Sequence, residues 1–188
     1  MKEKYDVPIA PQSEFVSYMM EQMSHFGLPC TEEQAKDFYM YYAHMIETNK
    51  YLNLTGITDM KEVVVKHMID SLSCYDSEII KSGMTIIDVG TGAGFPGIPL
   101  AIYDRSLKVT LFDSLKKRLT FLESIIDKLK LTNCTTLHGR AEDLSHQDYR
   151  ESFDIATSRA VARLPILSEW TVPYVKEGGY DVALKGAI

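Results

Sequence analysis

The feature that most constrains this fold is a glycine-rich loop set between two apolar segments. The stretch TIIDVGTGAGFPGIPLAIY, residues 85–103, opens with a short apolar run that includes Asp88. It continues past Gly90, Gly92 and Gly94 into an apolar segment of helical character. A buried strand, a tight loop and a helix in that order form the first unit of an open α/β sheet. Because glycine has no side chain, such a loop can bring its backbone close to a ligand. We therefore predict a ligand site at this turn.

Apolar runs alternate with helical patterns through the rest of the chain. Strands are predicted at residues 84–89, 108–113, 133–139, 153–159 and 179–186, and a short helix near residues 96–103. A longer helix at residues 114–131 places six apolar residues on one face: Leu115, Leu119, Leu122, Ile125, Ile126 and Leu129. Strands that alternate with helices predict the α/β class, with a doubly wound, mostly parallel sheet.

The first part of the chain carries helical patterns only, at residues 11–26, 31–49 and, as one or two helices, 61–80. Thr31 followed by Gln34 is typical of a capping box at a helix start. Five residues recur at helical spacing in the second helix: Phe38, Tyr41, Tyr42, Met45 and Ile46. We interpret this stripe as core rather than as a platform for stacking bases. The chain is thus predicted to consist of a helical cap, residues 1–82, and an α/β core, residues 83–188.

The charge balance argues against a general nucleic-acid-binding protein. The 188 residues carry a net charge of −6, whereas nucleic-acid-binding domains usually have a basic excess. Residues 1–99 hold 7 basic and 14 acidic residues, while residues 100–188 hold 13 basic and 12 acidic ones. Any nucleic-acid surface is therefore expected to be a local patch on the second half.

The cysteines and the lengths of the apolar runs indicate the cellular compartment. Cys30, Cys74 and Cys134 are odd in number and far apart, which predicts neither a disulfide framework nor a metal site. No apolar run approaches the ~18 residues of a membrane span, and the first residues lack the apolar region of a signal peptide. We expect a cytoplasmic protein with buried thiols, no metal and no membrane contact.

Two cofactors fit the glycine loop. GAGFPG, residues 92–97, satisfies the dinucleotide pattern G-x-G-x-x-G, and DVGTGAG, residues 88–94, satisfies the acid-x-G-x-G-x-G pattern of methyltransferases that use S-adenosylmethionine (AdoMet). A carboxylate at Asp88 would repel the pyrophosphate that a dinucleotide places at a helix N-terminus. AdoMet instead carries a sulfonium and an ammonium group. Asp88 therefore favours AdoMet, with a role as a loop cap as the alternative.

Two further acidic positions indicate a nucleoside. Asp113 ends the second strand, where a carboxylate binds the ribose hydroxyls of either cofactor. Ala141, Glu142 and Asp143 follow the third strand, where a small residue and an acid suit an adenine ring and its exocyclic amine. Together with the loop, these residues favour AdoMet over a dinucleotide.

Seven motifs then occur in one order: NLTGITD, KHMIDSL, DVGTGAGFPGIPLAI, FDSLKKRLTFL, GRAED, SRAVA and ALKG. Over about residues 35–186 the chain thereby resembles the RsmG (GidB) family of guanosine-N7 methyltransferases. The resemblance implies a class I AdoMet-dependent methyltransferase fold, Rossmann-like, with an N-terminal helical cap. It also implies methyl transfer to a guanosine in the decoding-centre loop (the 530 loop) of 16S ribosomal RNA. The expected partner is the small ribosomal subunit, with the enzyme acting as a monomer.

The resemblance implies cofactor contacts from a defined set of residues: Gly90, Phe95, Ala141, Glu142 and Arg159, with Asp113 at the ribose. Guanine N7 has a free lone pair and no proton to lose, so no general base is expected and placement of N7 behind the methyl group is sufficient. We predict that Arg159 orients the cofactor or the target base, with a surface salt bridge as the alternative.

Basic residues in the second half are candidates for the RNA rim, namely Arg140, Arg159, Arg163 and Lys185. Two interpretations apply to the basic cluster at the start of the second long helix, Lys116, Lys117 and Arg118: it contacts RNA, or it forms a solvated helix face. His67 is interpreted as a structural histidine, with substrate contact as the alternative. Because side chains cannot enter the deep major groove of A-form RNA, the target is expected to be a looped or extruded base.

Relatives continue beyond the ALKG motif with two more strands in an antiparallel hairpin, whereas this sequence ends at Ile188. We therefore expect the fifth strand to form an exposed edge. Two other functions stay open from the sequence. A small-molecule methyltransferase on the same fold predicts a closed pocket under the N-terminal helices and no dependence on RNA. A nucleotide-binding regulator without chemistry predicts dinucleotide binding.

Overall fold

The computed structural model describes residues 7–144, 148–159 and 164–185. Its N-terminal part is helical, with α1 at Gln12–His25 and α2 at Glu32–Asn49. A third helical segment changes its hydrogen bonding along its length: α3 covers Met60–Glu62, a π-helical stretch covers Val63–Ile69, and α4 covers Asp70–Leu72. The sequence predicted a helical segment here but not the π-helical turn within it.

Helix α2 begins at the predicted capping box and buries the predicted aromatic stripe. The Thr31 side chain accepts a hydrogen bond from the Gln34 N–H, and the Gln34 side chain accepts one from the Thr31 N–H, which completes the capping box. All five residues of the aromatic stripe of α2 are at most 1% exposed. The predicted capping box and the interpretation of the stripe as core are confirmed.

Five parallel strands form one sheet. They are β1 (Thr85–Val89), β2 (Lys108–Asp113), β3 (Cys134–His138), β4 (Phe153–Arg159) and β5 (Val175–Leu184), in the order β3-β2-β1-β4-β5. The connecting helices are α5 (Gly97–Tyr103), α6 (Lys116–Leu129), α7 (Ala141–Leu144) and α8 (Leu164–Thr171), followed by a 3₁₀ turn at Val172–Tyr174. The predicted α/β class with a doubly wound parallel sheet is confirmed.

The strand order creates a crevice at one edge of the sheet. The chain runs outward from β1 through β2 to β3 and then returns to the other side of β1 with β4. Ligands of open α/β sheets bind outside the carboxyl ends of the strands at such a reversal. In register, Asp88 of β1 lies beside Leu111 and Thr157, and Asp113 of β2 lies beside His138. The residues that follow these strands therefore meet at one place.

The N-terminal helices and the sheet share one hydrophobic core. Helix α2 packs against α5 and α6, and a single buried cluster includes Tyr41 and Met45 of α2 together with Ile98 of α5 and Leu122 of α6. A smaller cluster on the other face joins Phe112 to Tyr174. The N-terminal helices therefore act as a cover on one face of the sheet.

Three local features differ from the sequence-based expectation. Leu115 was placed on the apolar face of its helix, but it precedes α6 and is 52% exposed. Helices α7 and α8, which are only four and eight residues long, were not predicted between the strands. Strand β5 begins at Val175 rather than at residue 179, since a register shift opposite residues 153–155 accommodates the extra residues. As expected, β5 forms an edge of the five-stranded sheet.

Other expectations concern what the described residues contain. No helix among them has the length and apolar character needed to cross a membrane. The three cysteines are unpaired, with Cys74 and Cys134 buried and Cys30 half-buried. In residues 7–144, 148–159 and 164–185 there is no cluster of three or more His, Cys, Asp or Glu side chains suited to a metal ion.

Candidate functional site

A cavity of about 570 Å³ lies at the carboxyl ends of the central strands. Residues after β1, β2 and β3 form most of its wall, and Arg159 at the end of β4 closes one side. It is lined by Leu54, Thr55, His67, Val89, Gly90, Thr91, Gly92, Ala93, Phe95, Phe112, Asp113, Ser114, Arg118, Gly139, Arg140, Ala141, Glu142, Arg159 and Trp170. Its volume is that of a site for a small organic ligand or cofactor.

The glycines of the loop have two different roles: some border the cavity, and one allows close packing in the core. Gly90, Gly92 and Gly94 have φ angles of 67°, 61° and 105°, which side chains rarely adopt. A Cβ on Gly92 would meet no atom closer than 3.9 Å, so this position opens toward the cavity. A Cβ on Gly94 would approach Ile98 at 2.7 Å and Leu122 at 2.8 Å. Gly90 and Gly92 therefore border the cavity, whereas Gly94 allows the loop to pack on the helices.

Asp88 lies behind the loop and does not line the cavity. Its side chain is fully buried, and one carboxylate oxygen accepts hydrogen bonds from the Thr91 hydroxyl at 2.7 Å and the Gly97 N–H at 2.8 Å. The other oxygen accepts one from the Thr157 hydroxyl at 3.3 Å. Burial raises the pKa of Asp88 to about 6, against the lowering effect of these bonds. This geometry corresponds to the loop-cap alternative.

The N–H groups of the loop are largely used within the protein. Those of Gly90 and Thr91 donate to the Phe112 carbonyl, and that of Gly92 donates to Asp113. Those of Gly94 and Phe95 both donate to the Thr91 carbonyl. A phosphate cradle needs such N–H groups pointing at the ligand. The loop is therefore poorly suited to a pyrophosphate, because its N–H groups are occupied. The sequence argument rested on the charge of Asp88 instead.

Asp113 projects into the cavity from the end of β2. It is 4% exposed and accepts hydrogen bonds from the Gly92 N–H and the Leu115 N–H, both at 2.9 Å. Arg118 lies 3.5 Å from the same oxygen that Gly92 contacts. A carboxylate has about four lone-pair sites, so Asp113 retains acceptor capacity toward a ligand. It is fixed in place and can accept hydrogen bonds from two vicinal hydroxyls.

Helix α7 forms the opposite wall. Ala141 and Glu142 line the cavity, and the Tyr174 hydroxyl donates a 2.7 Å hydrogen bond to the Ala141 carbonyl. Asp143, the third acidic candidate, is not part of the lining. This wall offers a small side chain and one carboxylate beside a ligand.

Arg159 is held by several partners at the cavity wall. Its guanidinium donates to the Lys66 carbonyl at 3.2 Å and to Asp70 at 3.4 Å, and it lies 4.7 Å from the ring centre of Phe95. It also donates to Nδ1 of His67 at 2.9 Å. A cation over an aromatic face and several hydrogen bonds fix the guanidinium plane. Arg159 is therefore a half-buried, pre-positioned cation, and its salt bridge to Asp70 is one of several contacts that hold it at the cavity wall.

His67 joins Arg159 to the link between α2 and α3, residues 50–59. Its ring stacks on Phe95 with 4.5 Å between centres, and Nε2 lies 2.7 Å from the Thr55 hydroxyl. Burial and the charge of Arg159 lower the pKa of His67 to about 3. Since the guanidinium can only donate, Nδ1 of the neutral ring is the acceptor and Nε2 carries the proton. His67 thus lines the cavity and also has a structural role.

Nine lining residues were not among the candidates from the sequence. Six of them lie in or next to the predicted strands and the glycine loop: Val89, Thr91, Ala93, Phe112, Ser114 and Gly139. The other three, Leu54, Thr55 and Trp170, come from other parts of the chain. Asn49 holds the link in place, because its side chain accepts the N–H groups of Leu54 and Thr55 and donates to the Thr55 carbonyl. The NLTG motif was a usable signal for the first two. Trp170 lies on α8, which the sequence did not predict.

The basic candidates separate in space. Arg118 and Arg140 line the cavity, whereas Lys117 lines a second cavity. Lys116 and Lys185 are exposed and border neither one. Arg163 lies outside the described residues.

The sequence matches one protein family over most of its length. The family, GidB, described as rRNA small subunit methyltransferase G, matches residues 34–188. A relative from Thermoanaerobacter sp. strain X514 is 50% identical over 172 residues, covering 91% of this chain and 72% of the relative. One from Lactobacillus acidophilus is 49% identical over 168 residues, covering 88% and 70%. Both carry the name ribosomal RNA small subunit methyltransferase G.

Solved structures share the fold at low sequence identity. An AdoMet-dependent methyltransferase structure from Methanococcus maripaludis is 17% identical with a TM-score of 0.56, covering 81% of this chain and 64% of that one. A Plasmodium falciparum chain described as a protein-L-isoaspartate O-methyltransferase, in complex with S-adenosyl-L-homocysteine, is 18% identical with a TM-score of 0.54, covering 92% and 84%. The described strands and helices therefore form a class I methyltransferase fold.

Proposed function

This chain belongs to the GidB family, rRNA small subunit methyltransferase G, and we propose that it methylates N7 of a guanosine in the decoding-centre loop of 16S ribosomal RNA. AdoMet is the methyl donor. One observation carries the proposal: a cavity at the strand-order reversal holds a fixed carboxylate, Asp113, beside a glycine loop whose N–H groups are largely engaged within the protein. The reaction takes place in the cytoplasm, with the enzyme acting as a monomer.

The residues around the cavity fit AdoMet better than a dinucleotide. Asp113 accepts hydrogen bonds from the ribose hydroxyls, and Ala141 and Glu142 border the adenine. The open side of Gly92 leaves room for the cofactor against the backbone. Gly90 and Phe95 complete this contact set. Gly94 and Asp88 act indirectly, because they hold the loop without reaching the cavity.

The chemistry required of the side chains is modest. Bound AdoMet supplies a methyl group on a sulfonium centre, which is electrophilic. N7 of guanine would attack the methyl carbon with its lone pair while the bond from sulfur to the methyl group breaks and S-adenosylhomocysteine leaves. No proton is lost, so positioning and exclusion of water are sufficient. His67 is neutral and its two nitrogens are engaged by Arg159 and Thr55. Its arrangement thus matches a positioning residue and not a general base.

Arg159 is the residue best placed to orient the reactants. Its charge is fixed beside Phe95 and His67 at the side of the cavity formed by β4. A cation there repels the positively charged cofactor from that wall and can donate to an acceptor of the target base, such as a guanine oxygen. We assign Arg159 the role of orienting the target base.

The RNA contact is a local basic patch. Arg118 and Arg140 border the cavity mouth and can meet the phosphates that flank the target nucleotide. Because N7 is not accessible within an A-form helix, the target guanosine is looped out or extruded. A net charge of −6 is compatible with this, since the contact is confined to one region.

Methyl transfer to small ribosomal subunits tests the proposal. Subunits that lack the modification are incubated with labelled AdoMet and the chain, and the label is mapped by strand cleavage selective for N7-methylguanosine. We expect label at one guanosine of the decoding-centre loop, and strongly reduced labelling with Asp113→Ala when AdoMet is not saturating. Label on a small molecule without RNA would support the alternative methyltransferase, and binding of AdoMet without any RNA label would overturn the substrate assignment.

A further inference from the structure

A second cavity of about 500 Å³ lies between α2 and α6, beside the first one. It is lined by His44, Thr48, Tyr51, Leu52, Lys117, Thr120, Phe121 and Ser124. We infer that this second cavity binds an unpaired nucleobase of the RNA that neighbours the methylated guanosine. The inference rests on the proposed function for the identity of the RNA, and on the contacts of the second cavity for the base itself.

An exposed aromatic side chain stands at the second cavity. Tyr51 is 80% exposed, the most exposed of the large hydrophobic side chains in the described residues. Its backbone is nevertheless fixed, because the N–H groups of Tyr51 and Leu52 both donate to the Thr48 carbonyl. A rigidly mounted, solvent-exposed ring is suited to stacking on a base, since every base offers a π-face.

The wall formed by His44 is aromatic and ordered. The His44 ring stacks on Phe121 at 5.4 Å with 16° between the planes, and its Nε2 lies 2.7 Å from the Ser124 hydroxyl. Because that hydroxyl donates to the Phe121 carbonyl, Nε2 is the donor and Nδ1 remains an acceptor. Burial and Lys128 lower the pKa of His44 against the effect of Glu47. The second cavity therefore combines apolar surface with a neutral hydrogen-bonding ring.

The charges around the second cavity suit a nucleic-acid backbone. Lys117 lines it, and Lys128 is close enough to affect His44. The acid that acts on His44, Glu47, is paired with Lys50 at 3.0 Å. A cation beside a stacking surface is the arrangement of proteins that bind single strands.

The second cavity continues from the proposed active site. The link and the start of α6 contribute to the walls of both cavities. In the link, the first cavity is lined by Leu54 and Thr55, and the second by Tyr51 and Leu52. On α6, Arg118 borders the first cavity and Lys117 the second. An RNA strand with its guanosine in the first cavity can therefore reach the second one with a neighbouring base.

Fluorescence titration of an oligoribonucleotide tests the inference independently of methyl transfer. The probe is a single-stranded RNA with the decoding-centre loop sequence and 2-aminopurine next to the target guanosine. We expect binding to quench the probe, and Tyr51→Ala to weaken binding about 10-fold, within the range known for base stacking. Tyr51→Phe keeps the ring and should bind like the unaltered chain. Lys117→Gln should reduce the slope of log affinity against log salt by about 0.7.

Phe26→Ala is the matched control, because Phe26 is 55% exposed at the end of α1 and lines neither cavity. Equal binding by Tyr51→Ala and Phe26→Ala would overturn the inference, as would absence of any binding to the probe. Dissociation of a dimer by Tyr51→Ala would instead identify a second copy as the occupant. If Tyr51 affects RNA binding while subunits are not methylated, the second cavity is upheld and the proposed function is not.

Discussion

Nη2 of Arg159 donates a 2.9 Å hydrogen bond to Nδ1 of His67, across 92 positions of sequence. This contact joins the end of β4 to the π-helical segment and places both side chains against Phe95. It fixes His67 as an acceptor at Nδ1 and fixes the guanidinium plane at the cavity wall. Two residues from motifs that are separate in the sequence, His67 of KHMIDSL and Arg159 of SRAVA, thereby contact each other.

Arg159→Lys is expected to impair methyl transfer. An ammonium cannot reproduce the planar set of bonds to the Lys66 carbonyl, Asp70 and His67. Loss of one charge-assisted bond of about 1.5–3 kcal/mol lowers kcat/KM by roughly 10- to 100-fold. Steady-state assays on small subunits measure this. Arg105→Lys, at an exposed pair with Asp37, should leave the rate unchanged. Equal rates for Arg159→Lys and the unaltered chain would exclude an orienting role.

His67→Gln is expected to flatten the dependence of stability on pH. The folded pKa of His67 is about 3 and its ordinary value is 6.5. The unfolded chain therefore binds a proton that the folded one does not, and His67 contributes stability that is present above pH 6.5 and is lost as the pH falls toward 3. The slope in that window is up to about 1.4 kcal/mol per pH unit. Urea unfolding at pH 7, 5.5 and 4 measures it.

Glutamine can accept from Arg159 and donate to Thr55, so the His67→Gln variant should retain its fold. His25→Gln, at an exposed position on α1, serves as the control and should follow the unaltered chain. If the stability of His67→Gln and of His25→Gln changed equally with pH, the conclusion that His67 is buried and neutral would be wrong.

Asp113→Ala is expected to weaken binding of S-adenosylhomocysteine by roughly 10- to 100-fold. The change removes the acceptor for the ribose, worth about 1–3 kcal/mol of binding free energy, and it also leaves the N–H groups of Gly92 and Leu115 without their partner. Calorimetric titration gives the affinity. Asp154→Asn tests specificity, because Asp154 accepts from Thr85 at the opposite end of the strands. It should lower stability without changing the affinity, and an equal affinity loss in both variants would indicate a general effect on folding.

Asp88→Ala and Asp88→Asn should differ. Alanine leaves the Gly97 N–H and the Thr91 hydroxyl without an acceptor in the core, at a cost of about 2–4 kcal/mol. Asparagine can accept these bonds with its oxygen and donate to Thr157, so we expect a loss of less than about 1.5 kcal/mol. Chemical unfolding of the three chains gives these values. Similar losses for both variants would show that the charge, and not the acceptor, is required.

The pH dependence of the Asp88→Asn variant has a defined sign. The folded pKa of Asp88 is about 6 and the ordinary value is 3.8. The contribution of Asp88 is therefore fully present below pH 3.8 and is lost as the pH rises through 6. The stability of Asp88→Asn relative to the unaltered chain should increase between pH 4 and pH 7, which unfolding at both values measures.

Local signals were sufficient for much of the fold and for part of the site. The capping box at Thr31 and the stripe of α2 depend on residues three or four positions apart, so the sequence displays them directly. The glycine loop follows β1 and Asp113 ends β2, and the carboxyl ends of adjacent strands meet in any parallel sheet. The prediction that Leu115 lies on the apolar face of α6 was wrong. Leu115 fits the spacing of that face, but it precedes the helix and is exposed to solvent.

The sequence by itself determined the α/β class, the place of the cofactor loop and the nature of most residues around it, because strand and helix periods and glycine positions are local properties. Tertiary structure alone decided how these residues are used. It turned Asp88 away from the cavity, joined His67 to Arg159 and brought Thr55 and Trp170 to the wall. These outcomes depend on which hydrogen-bond partners are within reach after the chain has packed, and on which groups burial separates from water.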